Sequence, residues 1–217
     1  MTSMLLYEER NAIVHYGRKL IDSQLTTGTG GNLSIYNRSE GLIAIKPSAV
    51  DYLTMRPEDV VVIQPDGEIV DGKLKPSIEV HFHLDLLNQR KDINAVVHTH
   101  QVHATAIACM NWELPAVHYM VGVSGNKVPL AKYAPAGTQE LSDHLLKAIG
   151  DFNACLLANH GLVTVGADIQ SAFNVAEQLE LVAKIFVCCK SMGEPAILSD
   201  DDMQVMTEKL RSYGQPK

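Results

Sequence analysis

Several things are scarce in this sequence, and each shortage excludes something. No apolar stretch approaches the roughly 18 residues that a membrane-spanning helix needs, so no spanning segment is expected. Positive charge is short: 18 Lys and Arg stand against 25 Asp and Glu, a net charge of −7. No basic stripe is available to neutralise a nucleic-acid backbone, so no nucleic-acid partner is expected. A small phosphorylated substrate stays open, because it needs only a local pocket of donors. Cys109, Cys155, Cys188 and Cys189 include no C-x-x-C spacing; they are expected as reduced, buried thiols of a reducing compartment. The N-terminal segment turns acidic at Glu8-Glu9, too soon for a secretory leader, and a cytoplasmic location is expected. There is no G-x-G-x-x-G, no Gly-Lys-Ser/Thr P-loop, no repeat and no low-complexity tract.

Histidine, by contrast, is present in a pattern. His98-Thr99-His100 ends one apolar run and His160 ends another. Both runs read as β-strands, and side chains at i and i+2 on a strand point the same way. One divalent metal can be gripped by His98 and His100 and closed by His160. Three protein nitrogens with an open position are the plan of a catalytic zinc site, whereas a structural site is closed by four ligands. Neutral imidazoles suit zinc and also accept cobalt, nickel or manganese.

The 217 residues alternate helices and strands. Helices are expected at 7–25, 78–90 with Ser77 as N-cap, 102–110, 138–149, 171–192 and 200–211. Strands are expected at 33–36, 42–45, 60–64, 68–70, 95–100, 154–159 and 162–165, the third and fourth joined at Asp66-Gly67 as a hairpin. The expected architecture is one α/β domain over 1–217, a central, mainly antiparallel sheet with helices on both faces; about 200–217 is expected as a partly mobile tail.

Other residues are candidates on local grounds. Glu79, just ahead of the histidine strand, reads either as a fourth metal ligand that later serves as base or as a first-turn glutamate favoured by the helix dipole. The Thr26–Asn32 loop, with Ser34, Ser48 and Ser77, offers hydroxyls and backbone N–H groups to a phosphate, or is merely a helix end and flexible turn. Tyr119 reads as a proton donor or a packed tyrosine. His103 reads as a group behind the metal ligands. His81 and His83, two apart on a helix, diverge and with His15 and His144 are expected to be structural or surface groups.

Taken together, Gly31-Asn32-Leu33-Ser34, Pro76-Ser77-Ile78-Glu79, Ala95-Val96-Val97-His98-Thr99-His100 and Ala158-Asn159-His160-Gly161 resemble the class II aldolase/adducin family, in its order and spacing over nearly the whole chain. Pro115-Ala116-Val117-His118-Tyr119-Met120 and Glu208-Lys209-Leu210-Arg211-Ser212-Tyr213-Gly214 look most like the members that cleave L-fuculose 1-phosphate. The resemblance implies an α/β/α sandwich, assembly as a C4 homotetramer with sites at subunit interfaces, and one zinc per subunit on His98, His100 and His160. It puts the catalytic carboxylate at Glu79 and the phosphate-binding loops at Thr29, Asn32, Ser48, Ala49, Ser77 and Ile78. It also implies an active-site tyrosine from a neighbouring subunit at Tyr119 and a C-terminal tyrosine at Tyr213. The implied reaction is metal-dependent, reversible cleavage of L-fuculose 1-phosphate to dihydroxyacetone phosphate and L-lactaldehyde. L-ribulose-5-phosphate 4-epimerase, rhamnulose-phosphate aldolase, dehydratase and non-catalytic adducin-like roles are the family's alternatives. Two positions depart from its pattern: Ile78 stands where a second Ser or Thr is common, and Ala49 where glycine is.

Overall fold

A computed structural model describes residues 4–211. Its centre is one eight-stranded sheet. In chain order the strands are β1 (Asn32–Asn37), β2 (Leu42–Ile45), β3 (Val61–Ile63), β4 (Ile69–Asp71), β5 (Ala95–Thr99), β6 (Leu130–Ala131), β7 (Ala154–Leu157) and β8 (Gly161–Gly166). Across the sheet they run β4-β3-β2-β1-β5-β8-β7-β6. Every pairing is antiparallel except β6 with β7. The helices are α1 (Tyr7–Asp22), α2 (Val80–Gln89), α3 (Val102–Cys109), α4 (Gln139–Ile149), α5 (Ile169–Met192) and α6 (Asp200–Arg211).

Alternation along the strands explains the layers. Ile43, Ile45, Val61, Ile63, Val96, Val163 and Val165 face one way and pack under Phe82, Leu86 and Leu87 of α2 and Leu141, Leu145 and Ile149 of α4. The intervening Ala44, Val62, Ala95 and Val97 face the other way, against Ile13 and Leu20 of α1 and Phe173 and Ala176 of α5. On that same side Leu156 and Leu162 meet Ile107 of α3 and Leu179 of α5. The expected mainly antiparallel α/β sandwich is therefore the fold.

The differences from the sequence expectation have local causes. α1 stops at Asp22 rather than residue 25; Leu25 N bonds back to Leu20 O and closes the helix there. α2 begins at Val80, because Ser77 Oγ accepts from Glu79 N and spends the cap on the preceding turn. α5 starts at Ile169, capped by Asp168 through Ser171 N. β6 is only two residues long, too short to show a period, and short 3-10 turns at Pro57–Asp59 and Tyr119–Val123 were not expected. The four thiols are unpaired, but only Cys155 is buried. Cys109 is the last residue of α3 and Cys188 lies on an outward turn of α5, so both are exposed. Burial pushes the Cys155 thiol up to about 12. Among the described residues, no helix is long and apolar enough to cross a membrane.

Candidate active site

The centre of the sheet builds the site. β5 and β8 are neighbours, with His98 opposite Val163. His98 is the fourth residue of β5, and His100 lies one residue past its end, anchored by its N–H to Leu25 O at 3.1 Å. His160 sits in the tight β7–β8 turn. There Asn159 takes a left-handed backbone (φ 56°), a conformation asparagine tolerates better than most residues, and His160 N bonds Leu157 O.

Two glycines let these segments close. A Cβ on Gly161 would lie 2.3 Å from Thr99 O and 2.9 Å from His100 Cδ2. One on Gly31, at φ +68°, would lie 2.4 Å from His98 O. The Thr26–Asn32 loop is thus packed on the histidine strand.

The three imidazoles converge edge to edge. His98 Nε2 is 3.0 Å from His100 Nε2 and 3.2 Å from His160 Nε2. Glu79 joins them, Oε2 at 3.3 Å from His98 Nε2 and Oε1 at 3.3 Å from His160 Nε2. His98 Nδ1 donates to Leu162 O at 3.0 Å. That bond fixes the tautomer and turns the Nε2 lone pair toward the other rings. Burial, first, and the neighbouring His100 and His160, second, hold His98 well below the usual imidazole range. Burial likewise lowers His100 and His160, against the opposing pull of Glu79. Three neutral nitrogens facing one another, plus a carboxylate, form a donor set suited to zinc. Glu79 supplies a further sign: its Oε1 is buried and has no hydrogen-bond partner among the described residues. The residues present fit a divalent cation, and the three histidines place their ligand atoms within 4.8 Å of one another.

Beside this cluster is a cavity of about 280 Å³. Thr29, Asn32, Ser48, Ala49, Ser77 and Ile78 all line it, together with Glu79, His100 and His160. Ile78, at the rim of this lining, is 64% exposed. Ala49 adopts φ 55°, the left-handed region that glycine favours.

Tyr119 is elsewhere in its own chain. It is exposed on the 3-10 turn beside Leu198 and Val205 and does not line the cavity. Tyr213 lies outside the described residues. His103 does not stand behind the metal ligands; its Nδ1 pairs with Glu180 of α5 at 2.7 Å.

Two residues were missed by sequence reasoning. Lys46, buried at the end of β2, lines the cavity. Its Nζ donates to Pro47 O at 3.1 Å, approaches Thr29 O at 3.4 Å, and lies 4.6 Å from the centre of the Tyr52 ring. Burial lowers its pKa to about 8. The signal was a lysine placed directly after an apolar strand and before Pro47-Ser48. His83 is the second: expected as a structural or surface group, it is a buried structural one, and what went unseen is its contact with Asn32 and Ser34. It is wholly buried, its Nδ1 is 2.7 Å from Ser34 Oγ, and its Nε2 meets Asn32 Oδ1. The signal was its i+4 spacing from Glu79, which puts both on one helical face; His81, on the opposite side, is exposed as expected.

Comparison with known proteins agrees with this geometry. The profile of the Class II Aldolase and Adducin N-terminal domain family matches residues 11–187. A 5-deoxy-D-ribulose 1-phosphate aldolase of Bacillus thuringiensis serovar kurstaki is 48% identical, over 98% of this chain and 100% of its own. The L-fuculose phosphate aldolase of Escherichia coli K12 is 36% identical, over 95% of this chain and 97% of its own. A solved structure titled L-fuculose 1-phosphate aldolase superimposes with a TM-score of 0.94 at 40% identity, covering 97% of this chain and 100% of that one. The chain belongs to the class II aldolase/adducin family and is an enzyme of its aldolase, or lyase, class.

Proposed function

We propose that this enzyme catalyses the reversible aldol cleavage of a ketose 1-phosphate to dihydroxyacetone phosphate and a short aldehyde. The observation that carries the reading is the carboxylate of Glu79 set against His98 and His160 beside a donor-lined cavity, its buried Oε1 without a hydrogen-bond partner among the described residues. The 48% identity to a 5-deoxy-D-ribulose 1-phosphate aldolase supports that sugar as the preferred substrate, with acetaldehyde as the second product. The 36% identity to L-fuculose phosphate aldolases supports L-fuculose 1-phosphate, with L-lactaldehyde, as the other candidate. Both substrates share the phosphorylated half that the cavity would hold.

In this reading the phosphate lies among Thr29, Ser48, Ser77 and the backbone N–H groups of Asn32, Ala49 and Ile78. His98, His100 and His160, with Glu79 in the resting state, hold zinc. The cation supplies Lewis-acid stabilisation of the negative charge that develops on the substrate oxygens during cleavage. Breaking the C3–C4 bond leaves an electron pair on C3 of the phosphorylated fragment, and Glu79 delivers a proton there; in synthesis it removes that proton. The C4 hydroxyl loses its proton as that oxygen becomes the aldehyde carbonyl. Tyr119, reaching in from a neighbouring subunit of a C4 homotetramer, relays this proton to solvent, and Glu79 draws from solvent the one it delivers to C3; the 44% exposure of Tyr119 beside exposed Leu198 and Val205 supports a contact outside its own chain. Tyr213, outside the described residues, keeps the active-site role that the family resemblance implies. A cytoplasmic location completes the proposal.

The test is product analysis with 5-deoxy-D-ribulose 1-phosphate, L-fuculose 1-phosphate and L-ribulose 5-phosphate. Equimolar dihydroxyacetone phosphate and free aldehyde from a ketose 1-phosphate is the expected result. A rearranged pentulose phosphate with no free aldehyde would make the enzyme an epimerase and overturn the reading.

A further inference from the structure

Glu79 and His83 share one face at the start of α2, and Asn32 and Ser34 share one face of β1. The two pairs meet directly. Ser34 Oγ lies 2.7 Å from His83 Nδ1, His83 Nε2 meets Asn32 Oδ1, and Asn32 Nδ2 donates to Glu79 Oε2 at 2.8 Å. Ser34 and His83 are fully buried, Asn32 is 4% exposed and Glu79 5%.

Only one arrangement of protons satisfies every atom in this row. The Glu79 carboxylate accepts, so Asn32 turns its NH2 toward it. Asn32 Oδ1 then faces His83, which must present Nε2–H. The Nδ1 lone pair is left to accept from the Ser34 hydroxyl. The other neutral tautomer sets the Nε2 lone pair against Asn32 Oδ1, or flips the amide and sets Oδ1 against the carboxylate. Either outcome faces two acceptors in a buried pocket, where an unsatisfied polar group is expensive.

We infer that His83 is a positioning residue for Glu79: held as the Nε2–H tautomer, it locks the Asn32 amide so that Glu79 Oε2 is tied to a donor and Glu79 Oε1 stays aimed at the reacting atoms. His83 does not line the cavity. Its effect passes through Asn32, whose side chain is thereby committed to the carboxylate and meets phosphate through backbone N–H alone. The inference rests on the proposed aldolase reading, in which Glu79 moves the C3 proton.

The experiment is solvent-deuterium exchange into dihydroxyacetone phosphate, with no aldehyde present, followed by proton NMR on the zinc-loaded protein. This reads the proton step of Glu79 without carbon–carbon cleavage. His83→Leu should keep its zinc content and its KM for dihydroxyacetone phosphate, and lose roughly 10–100-fold in exchange rate, the range for groups that orient a metal-site residue. His83→Gln, which can still donate to Asn32 Oδ1, should recover most of it. Wild-type exchange in His83→Leu, or equal losses in the two variants, overturns the inference. If His83→Leu does not fold, nitrogen-15 NMR of the wild-type imidazoles decides: a proton on His83 Nε2 supports the lock, and one on Nδ1 alone refutes it. Failure of the wild-type protein itself to exchange overturns the aldolase reading and this inference with it.

Discussion

Glu79 Oε1 lies 3.3 Å from His160 Nε2 and is buried with no hydrogen-bond partner among the described residues, while Glu79 Oε2 is held by Asn32. The two oxygens of one carboxylate are therefore not equivalent. Oε2 is tied to Asn32 and lies 3.3 Å from His98 Nε2, whereas Oε1 faces His160. This asymmetry is what a group needs if it is to steady a cation in the resting state and transfer a proton during turnover.

Glu79→Gln tests that division. The amide keeps the shape and one oxygen but cannot carry the proton, so zinc content should stay close to wild type. Turnover should fall roughly 10²–10⁴-fold, the usual contribution of a positioned acid–base group. Metal analysis alongside kcat checks it, and normal turnover would contradict the role.

Gly161→Ala tests the packing of the metal cluster. The new Cβ would sit 2.3 Å from Thr99 O and 3.3 Å from His98 Cε1. Overpacking of this kind costs roughly 1–3 kcal/mol, and here the strain falls on the ligand rings. We expect a lower melting temperature and weaker zinc retention in competition with a chelator. Unchanged zinc retention would mean that the turn relaxes without moving the rings.

Ala49→Gly should stabilise the protein. Ala49 holds φ 55° on a loop that lines the cavity, where an L side chain costs roughly 1–2 kcal/mol. Part of the relief is offset by the freedom glycine has when unfolded. The net expectation is about 1 kcal/mol, or a rise of roughly 2–4 °C in Tm for a chain of this size. A fall in Tm would show that the alanine methyl makes packing contacts worth more than the strain.

Lys46 sets a pH dependence. Burial lowers it to about 8 from the ordinary 10.5, despite the opposing charge of Asp51. Its folded value lies below its unfolded value, so the folded protein binds fewer protons between those limits, and this group's contribution to stability rises as pH rises from about 8. Its contribution to phosphate binding runs the other way, because only the charged amine attracts phosphate. We expect kcat/KM for the ketose 1-phosphate to fall as pH passes about 8, and Lys46→Met to show a lower value without that fall. A wild-type profile that stays level through this range contradicts the assignment.

Much of the site could be read from the sequence because it depends on short-range spacing. His98 and His100 share a strand direction, His160 follows a second strand, and Glu79 precedes the first. Thr29, Asn32, Ser48, Ala49, Ser77 and Ile78, named through a family resemblance that spans the chain, line one cavity. His83 could not be recognised alone, since its partners Asn32 and Ser34 belong to a strand reached only through the pairing of α2 with the sheet. The same holds for Lys46, whose burial depends on Tyr52 and the Thr29 carbonyl. β6 escaped notice because two residues display no alternation. Tyr119 lies away from the cavity in its own chain, and the proposed contact with a neighbouring subunit is one that local spacing does not encode.

The central claim is that the three histidines hold a cation on which aldol cleavage depends. The most direct measurement is dihydroxyacetone phosphate release from 5-deoxy-D-ribulose 1-phosphate and L-fuculose 1-phosphate before chelation, after chelation and after zinc is restored. The account predicts release from at least one substrate, abolished by chelation and recovered with zinc. Release that survives complete removal of metal would contradict it.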